Sequence, residues 1–150
     1  MKTIKYLRNK GIRFKILHLK EVPKTAQDVE RIYGCSLHQI LKTIVFVGEK
    51  APVIVVLPGD KKVNINKLKE ITKQDYIKVA KPEEVVSITG FNIGGVSPFV
   101  QNSDIKKIID ASVFKIKVVN IGSGKDDVGI ELNSMDLKKI WDGIIADTLD

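Results

Sequence analysis

The chain has 150 residues, 43% of them hydrophobic and 29% charged, a composition that predicts one globular domain over residues 1–150 and excludes a disordered or fibrous protein. No apolar run is long enough to cross a bilayer and no signal peptide is recognisable, so we expect a cytoplasmic protein without membrane contact. The net charge of +7 suits a polyanionic partner such as nucleic acid, although a solubilising lysine surface explains it equally well.

Helices and strands are both predicted along the whole chain. Segments with helical spacing of apolar residues, or with capping residues, are 2–10, 25–34, 36–41, 64–72, 81–90 and 133–150. Segments rich in β-branched residues, or with alternating polarity, are 12–19, 42–47, 52–59, 76–80, 105–111, 114–122 and 128–132. The pair 42–47 and 52–59 predicts a hairpin of buried strands.

This order of elements predicts the fold class. Because strands dominate the middle of the chain and helices occur throughout, we expect an α/β (mixed α+β) fold with a mixed sheet able to close into a barrel. Gly90 is the expected C-cap of helix 81–90, so the Gly-rich stretch "TGFNIGGVSPF" begins where that helix ends. In the last helix, Trp141 is expected to pack in the core or on its surface.

Several catalytic motifs fail on inspection. Ser97 resembles a nucleophile elbow, but Pro98 removes a backbone N–H that the elbow needs. The run "GSGK" lacks the glycine and the hydroxyl residue of a phosphate-binding P-loop. Neither His18 nor His38 has a carboxylate placed against it by the sequence, and Cys35 is better explained as a half-buried apolar residue than as a reactive thiol.

No cofactor is expected from the sequence. A single cysteine excludes an intramolecular disulfide, and no Cys/His cluster has the spacing of a metal site. Two features remain for chemistry: Lys42, between a short helix and an apolar strand, and the loop from Gly90 to Phe99, whose closely spaced amides suit a phosphate or a developing oxyanion. From position alone, Lys42 is better explained by a packed stem whose ammonium reaches solvent.

Four segments taken together resemble a known family. They are "LKTIVF", "VIVVLPGDKKVNINKL", "TGFNIGGVSPF" and "GSGKDDVGIELNSMDL". In this order, over roughly residues 11–137, they resemble the YbaK/EbsC family of aminoacyl-tRNA deacylases, which is similar to the editing domain inserted in bacterial prolyl-tRNA synthetases. The resemblance implies a single-domain, barrel-like mixed sheet flanked by helices. It also implies a trans-editing hydrolase for mischarged tRNA of the Cys- or Ala-tRNA(Pro) type, with tRNA and a synthetase as partners.

The same resemblance implies the site residues. Lys42, Gly94 and Gly95 match the family's pocket lysine and Gly-rich loop, and are the expected catalytic residues. The expected substrate-binding residues are Thr43, Gly90, Ser97, Pro98, Phe99, Gly122 and Gly124. An activated ester needs positioning and oxyanion stabilisation more than a strong nucleophile, so a site without a catalytic triad is consistent with this chemistry.

Three departures from the family pattern leave the identity of the amino acid open. Val100 replaces a common glycine, Gly129 replaces a polar residue before "IEL", and residues 18–20 lack an aromatic side chain. The alternative function is a non-catalytic tRNA- or nucleotide-binding module with the same pocket. A weaker alternative is a partner-binding protein with a basic face.

Overall fold

The computed structural model describes residues 2–150 as five α-helices and eight β-strands. The helices are α1 (Lys2–Asn9), α2 (Ala26–Tyr33), α3 (Ile65–Thr72), α4 (Pro82–Thr89) and α5 (Ser134–Ile140). The strands are β1 (Phe14–His18), β2 (Leu41–Gly48), β3 (Val53–Pro58), β4 (Ile77–Val79), β5 (Lys106–Asp110), β6 (Val118–Gly122), β7 (Val128–Asn133) and β8 (Ile144–Ala146). Two 3₁₀ turns, Leu37–Gln39 and Ala111–Lys115, precede β2 and β6.

The strands form two sheets. One has five strands in the order β4-β2-β3-β5-β8, and the other has three in the order β1-β7-β6. β3 lies at the centre of the larger sheet, and every one of its six residues is buried, as its apolar sequence requires. It pairs antiparallel with β2 and parallel with β5. A single parallel bridge from Ile40 to Asn120 connects the two sheets.

Helix α1 packs into a core cluster that contains residues of both sheets. Its residues Thr3, Ile4 and Leu7 are buried at the spacing of one helical face, and Gly11 ends the segment with a φ of 70°. The ring of Tyr6 stacks on Phe99 with centroids 4.9 Å apart. The N-terminal helix is therefore attached to the end of the Gly-rich stretch.

Most predicted elements are confirmed. The mixed α+β class, the β2–β3 hairpin and the first five helical segments are present. Thr25 and Asn64 cap their helices by accepting hydrogen bonds from the amides of Asp28 and Lys67. Gly90 ends α4 with a φ of 77°. The segment 36–41 is one 3₁₀ turn in which Ser36 makes no capping hydrogen bond to the backbone.

Two expectations about the architecture are not met. The barrel-like closure is absent among residues 2–150, because the strands divide into the two sheets described above. The helix predicted over 133–150 ends at Ile140, and residues 144–146 form β8 beside β5. Trp141 is buried, as expected, but its Nε1 donates to the carbonyl of Ile144 at 3.0 Å and holds this turn. Since β8 follows it, β7 is not the last strand. No helix among the described residues is long and apolar enough to span a membrane.

Candidate functional site

A cavity of about 460 Å³ opens between α2, the start of β2 and the Gly-rich loop. Its wall is mainly apolar, with contributions from Val29, Ile44, Val45, Val79, Ile93 and Ile121. The residues that bring polar atoms to it are Tyr33, Lys42, Thr43, Gly94, Gly122 and Asp126. The volume and the few convergent polar groups are those of a small-molecule site.

Lys42 is the cation of this wall. It lies on β2 opposite Leu57 and is half-buried. The residues directly before it, Ile40 and Leu41, are buried. Burial lowers the pKa of Lys42, the carboxylate of Asp60 partly offsets this, and the charge of Lys62 lowers the pKa further. The ammonium is therefore incompletely solvated, and an anionic or strongly dipolar ligand would improve its surroundings.

Asp60 is hydrogen-bonded to His38, and its charge acts on Lys42. The Nδ1 of His38 lies 2.8 Å from Oδ1 of Asp60, so the expectation that no carboxylate is ordered against this histidine is wrong. The two residues are 22 positions apart, and the 3₁₀ turn and the loop after β3 bring them together. Burial alone would raise the pKa of Asp60, but the hydrogen bond with His38 contributes to a net lowering. His18 is exposed on β1.

The glycines of the site allow two loops to pack backbone to backbone. A Cβ on Gly95 would lie 2.8 Å from the carbonyl carbon of Lys125, and one on Gly122 would lie 2.3 Å from the carbonyl oxygen of Val96. The amide of Gly124 donates to the carbonyl of Gly95 at 2.7 Å. Neither loop could approach the other if these positions carried side chains.

Gly94 is the glycine of this loop that faces the cavity. Its φ of 95° is strained for other residues. The amide of the next residue, Gly95, donates to the carbonyl of Asn92 at 3.2 Å. Among residues 2–150, no protein acceptor is found for the amide of Gly94. This leaves a backbone donor at the cavity wall.

The other predicted site residues lie behind this wall or away from it. Ser97 is fully buried, and its Oγ accepts from Thr3 Oγ1 at 2.8 Å and from the amide of Phe99 at 3.2 Å. Pro98 is also buried, and Phe99 packs in the core. Gly124 has a φ of 103° and lies under the ring of Phe91, while Gly90 lines a separate cavity beside Lys2. Of the ten predicted residues, Lys42, Thr43, Gly94 and Gly122 therefore line the cavity around Lys42, which we call the main cavity because it holds the candidate site.

Tyr33 is a cavity residue that the sequence analysis missed. It lies one helical turn after Val29 on the cavity face of α2, and this i, i+4 pair was the available signal. Burial raises the pKa of its hydroxyl, and the nearby Cys35 adds to the effect. Burial also raises the pKa of Cys35, which agrees with the interpretation of that residue as a half-buried apolar group. Asp126, which the sequence placed in a turn, is the cavity's carboxylate.

No group of three or more His, Cys, Asp or Glu side chains among residues 2–150 could hold a metal ion.

Comparison with known proteins gives consistent results. Residues 20–140 match the family described as aminoacyl-tRNA editing domain. Proline–tRNA ligase of Thermotoga maritima is 32% identical over 113 residues, which are 73% of this chain and 19% of the ligase. Proline–tRNA ligase of Lactiplantibacillus plantarum is 30% identical over 102 residues, 68% of this chain and 18% of the ligase. The chain thus spans about a fifth of the length of these curated relatives.

Two solved structures resemble the chain over nearly its whole length. The crystal structure of hypothetical protein APE2540 has a TM-score of 0.91 and 26% identity, and each chain is covered completely. A crystal structure described provisionally as a trans-editing enzyme for prolyl tRNA synthetase has a TM-score of 0.86 and 25% identity, with 99% of this chain and 96% of that chain covered.

Proposed function

Because the chain belongs to the family of aminoacyl-tRNA editing domains, we propose that the cavity around Lys42 binds the 3′ end of a mischarged tRNA and hydrolyses its aminoacyl ester. The chain is thus an aminoacyl-tRNA deacylase. In the proposed reaction, water adds to the ester carbonyl carbon, and the bond from that carbon to the ribose oxygen breaks. The ribose oxygen takes up a proton, and the free amino acid and the tRNA leave.

The observation that carries this proposal is that one mainly apolar cavity is lined both by a half-buried ammonium, that of Lys42, and by a backbone amide without a protein acceptor among residues 2–150, that of Gly94. Lys42 would bind the terminal phosphate or polarise the ester carbonyl. The amide of Gly94 would donate to the oxygen on which negative charge develops. Thr43 and the backbone at Gly122 would contact the substrate end. Gly95, Ser97, Pro98, Phe99 and Gly124 would act indirectly, by holding the loop against its neighbours.

The proposed substrate is of the Cys- or Ala-tRNA(Pro) type. A mainly apolar wall suits a small side chain without charge, and the similarity to proline–tRNA ligases favours tRNA for proline. Action in trans, in the cytoplasm and in contact with a synthetase, completes the proposal. It is supported by the solved structure of similar extent that is provisionally described as a trans-editing enzyme.

The first experiment measures deacylation of tRNA charged with Cys, Ala, Ser, Thr or Pro, using the parent protein and Lys42→Ala. We expect the parent to release Cys or Ala. The variant should keep its fold but react about 100-fold or more slowly, because removal of one donor aimed at the developing charge typically slows such reactions by this factor. The matched control is Lys107→Ala, which removes another half-buried lysine, one paired with Asp142 at 2.8 Å outside the cavity.

Two outcomes would contradict the proposal. If folded Lys42→Ala works at the parent's rate, Lys42 has no part in the reaction. If the parent releases none of the five amino acids but binds tRNA, the alternative of a non-catalytic binding module is correct.

A further inference from the structure

The net charge is confined to one end of the chain. Seven of the 25 Lys and Arg residues, and none of the 18 Asp and Glu residues, lie in the first 20 positions. The remaining 130 residues therefore carry 18 charges of each sign. We call residues 2–20 the basic segment. It comprises α1, β1 and the turns that follow each of them, and nearly all of it precedes the family match, which begins at residue 20.

The cations of the basic segment are free of acidic partners. Those at positions 2, 5, 8, 10, 13, 15 and 20 are all exposed. None of them forms an ion pair with a carboxylate of residues 2–150. On α1, Lys2, Lys5 and Arg8 follow one another at three-residue spacing, opposite the buried Thr3 and Leu7. One face of the helix is therefore a row of unneutralised positive charge.

Helix α1 adjoins the back of the Gly-rich loop through its buried face, and Lys2, at one end of the row, lies beside the start of that loop. Thr3 donates to Ser97 at 2.8 Å, and Ser97 lies three residues beyond Gly94 at the main cavity. Lys2 also lines the second cavity, of about 450 Å³, together with Gly90 and Phe91 from the start of the loop. The main cavity and one end of the row thus both adjoin the Gly-rich loop, the cavity at Gly94 and the row at Gly90.

We propose that the basic segment, and the row on α1 in particular, binds the phosphate backbone of the RNA whose 3′ end occupies the main cavity. Lysine-rich surfaces without base-reading side chains bind nucleic acid mainly through phosphates, independently of sequence. The row would increase the affinity for RNA by binding the phosphates of its double-stranded part, while the cavity selects the amino acid on its 3′ end. This inference rests on the proposed function for the identity of the RNA, but backbone binding can be measured without any hydrolysis.

The test compares two triple variants of equal net charge. One carries Lys2→Gln, Lys5→Gln and Arg8→Gln. The matched control carries Lys69→Gln, Lys73→Gln and Lys78→Gln, on the α3 and β4 side of the larger sheet. Glutamine suits helices about as well as lysine, so both variants should fold. The probe is an uncharged RNA hairpin of acceptor-stem type with a single-stranded 3′ end, and its dissociation constant is measured at several KCl concentrations.

We expect the α1 variant to bind about 10- to 100-fold more weakly near 0.1 M salt, and the slope of log K against log salt to fall by about two to three, because each lost phosphate contact removes about one unit. The control should retain the parent's slope. Hydrolysis of an aminoacyl-adenosine ester, which has no RNA body, should be the same in the α1 variant and the parent.

Three results would overturn the inference. One is an equal loss of affinity in both variants, which would mean that only total charge matters. The second is an unchanged slope in the α1 variant. The third is parent binding to vesicles with one quarter phosphatidylserine in phosphatidylcholine but not to the RNA, which would assign the segment to a membrane surface. If the parent hydrolyses no ester and the α1 variant still loses RNA affinity, the proposed function fails and this inference stands.

Discussion

At the scale of single residues, Tyr33 and Gly129 together shape one side of the cavity. A Cβ on Gly129 would lie 2.8 Å from both Cε2 and the hydroxyl oxygen of Tyr33. The ring therefore occupies the space in which a side chain on β7 would stand. The glycine that departs from the family pattern before "IEL" is thus explained by an aromatic residue from α2, nearly a hundred positions earlier in the chain.

Gly129→Ala should change the selectivity of the cavity more than the stability of the fold. The methyl group meets the outer end of a side chain that can move, so we expect the ring to shift into the cavity and disfavour larger aminoacyl groups. A difference of one methylene is worth about 1–3 kcal/mol in such sites, so the ratio of kcat/KM for Ala-tRNA to that for a larger aminoacyl-tRNA should rise about tenfold.

The control for this substitution is Ser103→Ala, at an exposed residue that does not line the main cavity. It should leave the ratio unchanged. An unchanged ratio in folded Gly129→Ala would mean that Tyr33 does not limit the size of the substrate.

At the scale of elements, the Gly-rich loop is held in place from behind. Ser97 accepts hydrogen bonds from Thr3 on α1 and from the amide of Phe99, and all of its surface is buried. The sequence analysis excluded Ser97 as a nucleophile because of Pro98, and its burial gives it a structural task. The loop that carries Gly94 is therefore positioned by contacts outside the cavity.

Ser97→Ala should destabilise the protein without removing the chemistry. Two buried donors lose their acceptor, so we expect the free energy of unfolding to fall by about 1–3 kcal/mol in urea titrations. Ser103→Ala, at an exposed position after the loop, should cost much less. Complete loss of deacylation at a temperature where Ser97→Ala is folded would show that Ser97 takes part in the reaction.

Local patterns predicted the elements better than the contacts between them. Thr25, Asn64 and Gly90 mark helix ends through hydrogen bonds or a positive φ within a few residues. Thr25 and Gly90 were the expected ends of their helices, and Asn64 was one of two expected caps, with Asn66 as the other. The prediction of one helix over residues 133–150 is wrong because Ile144 and Ile145 continue the helical spacing of apolar residues beyond the end of α5. Their strand is specified by pairing with Ile108 and Ile109 on β5, which no local pattern contains.

The same distinction applies to the candidate site. Lys42 and Gly94 were expected at the site because of the resemblance to a known family, and both line the cavity. Two other contacts depend on how separate elements pack and could not be read from local patterns. They are the hydrogen bond between His38 and Asp60 and the packing of the Tyr33 ring against Gly129. Gly95 was expected to leave room for the substrate, whereas the nearest atoms to its missing Cβ belong to the backbone of Lys125 and Asp126.

At the scale of the whole molecule, Asp110 joins the last residues of the chain to the larger sheet. It is 2% exposed, and its carboxylate accepts from the amide and hydroxyl of Thr148, both at 2.7 Å, and from the amide and hydroxyl of Ser112. Burial alone would raise the pKa of Asp110, but these hydrogen bonds outweigh it and lower the pKa below its ordinary value.

Asp110→Asn should lower the stability of the fold mainly at pH values above the ordinary pKa of aspartate. A carboxylate whose pKa is lower in the folded state contributes stability above about pH 4, and loses it as the pH falls through the folded value. We therefore expect the variant to lose about 1–3 kcal/mol of unfolding free energy at pH 7, and the difference from the parent to shrink below pH 4.

Denaturant titrations at pH 7, 5 and 3 test this expectation. Asp75→Asn, at an exposed residue, is the control and should differ little from the parent at each pH. A difference for Asp110→Asn that stays constant from pH 7 to pH 3 would contradict the assigned role of the carboxylate.

The pairing of β1 with β7 has a consequence for synthesis of the protein on the ribosome. Ile16 lies opposite Ile130, so β1 is synthesised more than a hundred residues before its partner strand. At 5–20 residues per second this interval is about 5–25 s. During that time β1 has no sheet to join, and we expect the exposed lysines and arginines of the basic segment, which repel those of neighbouring chains, to protect the nascent chain from association.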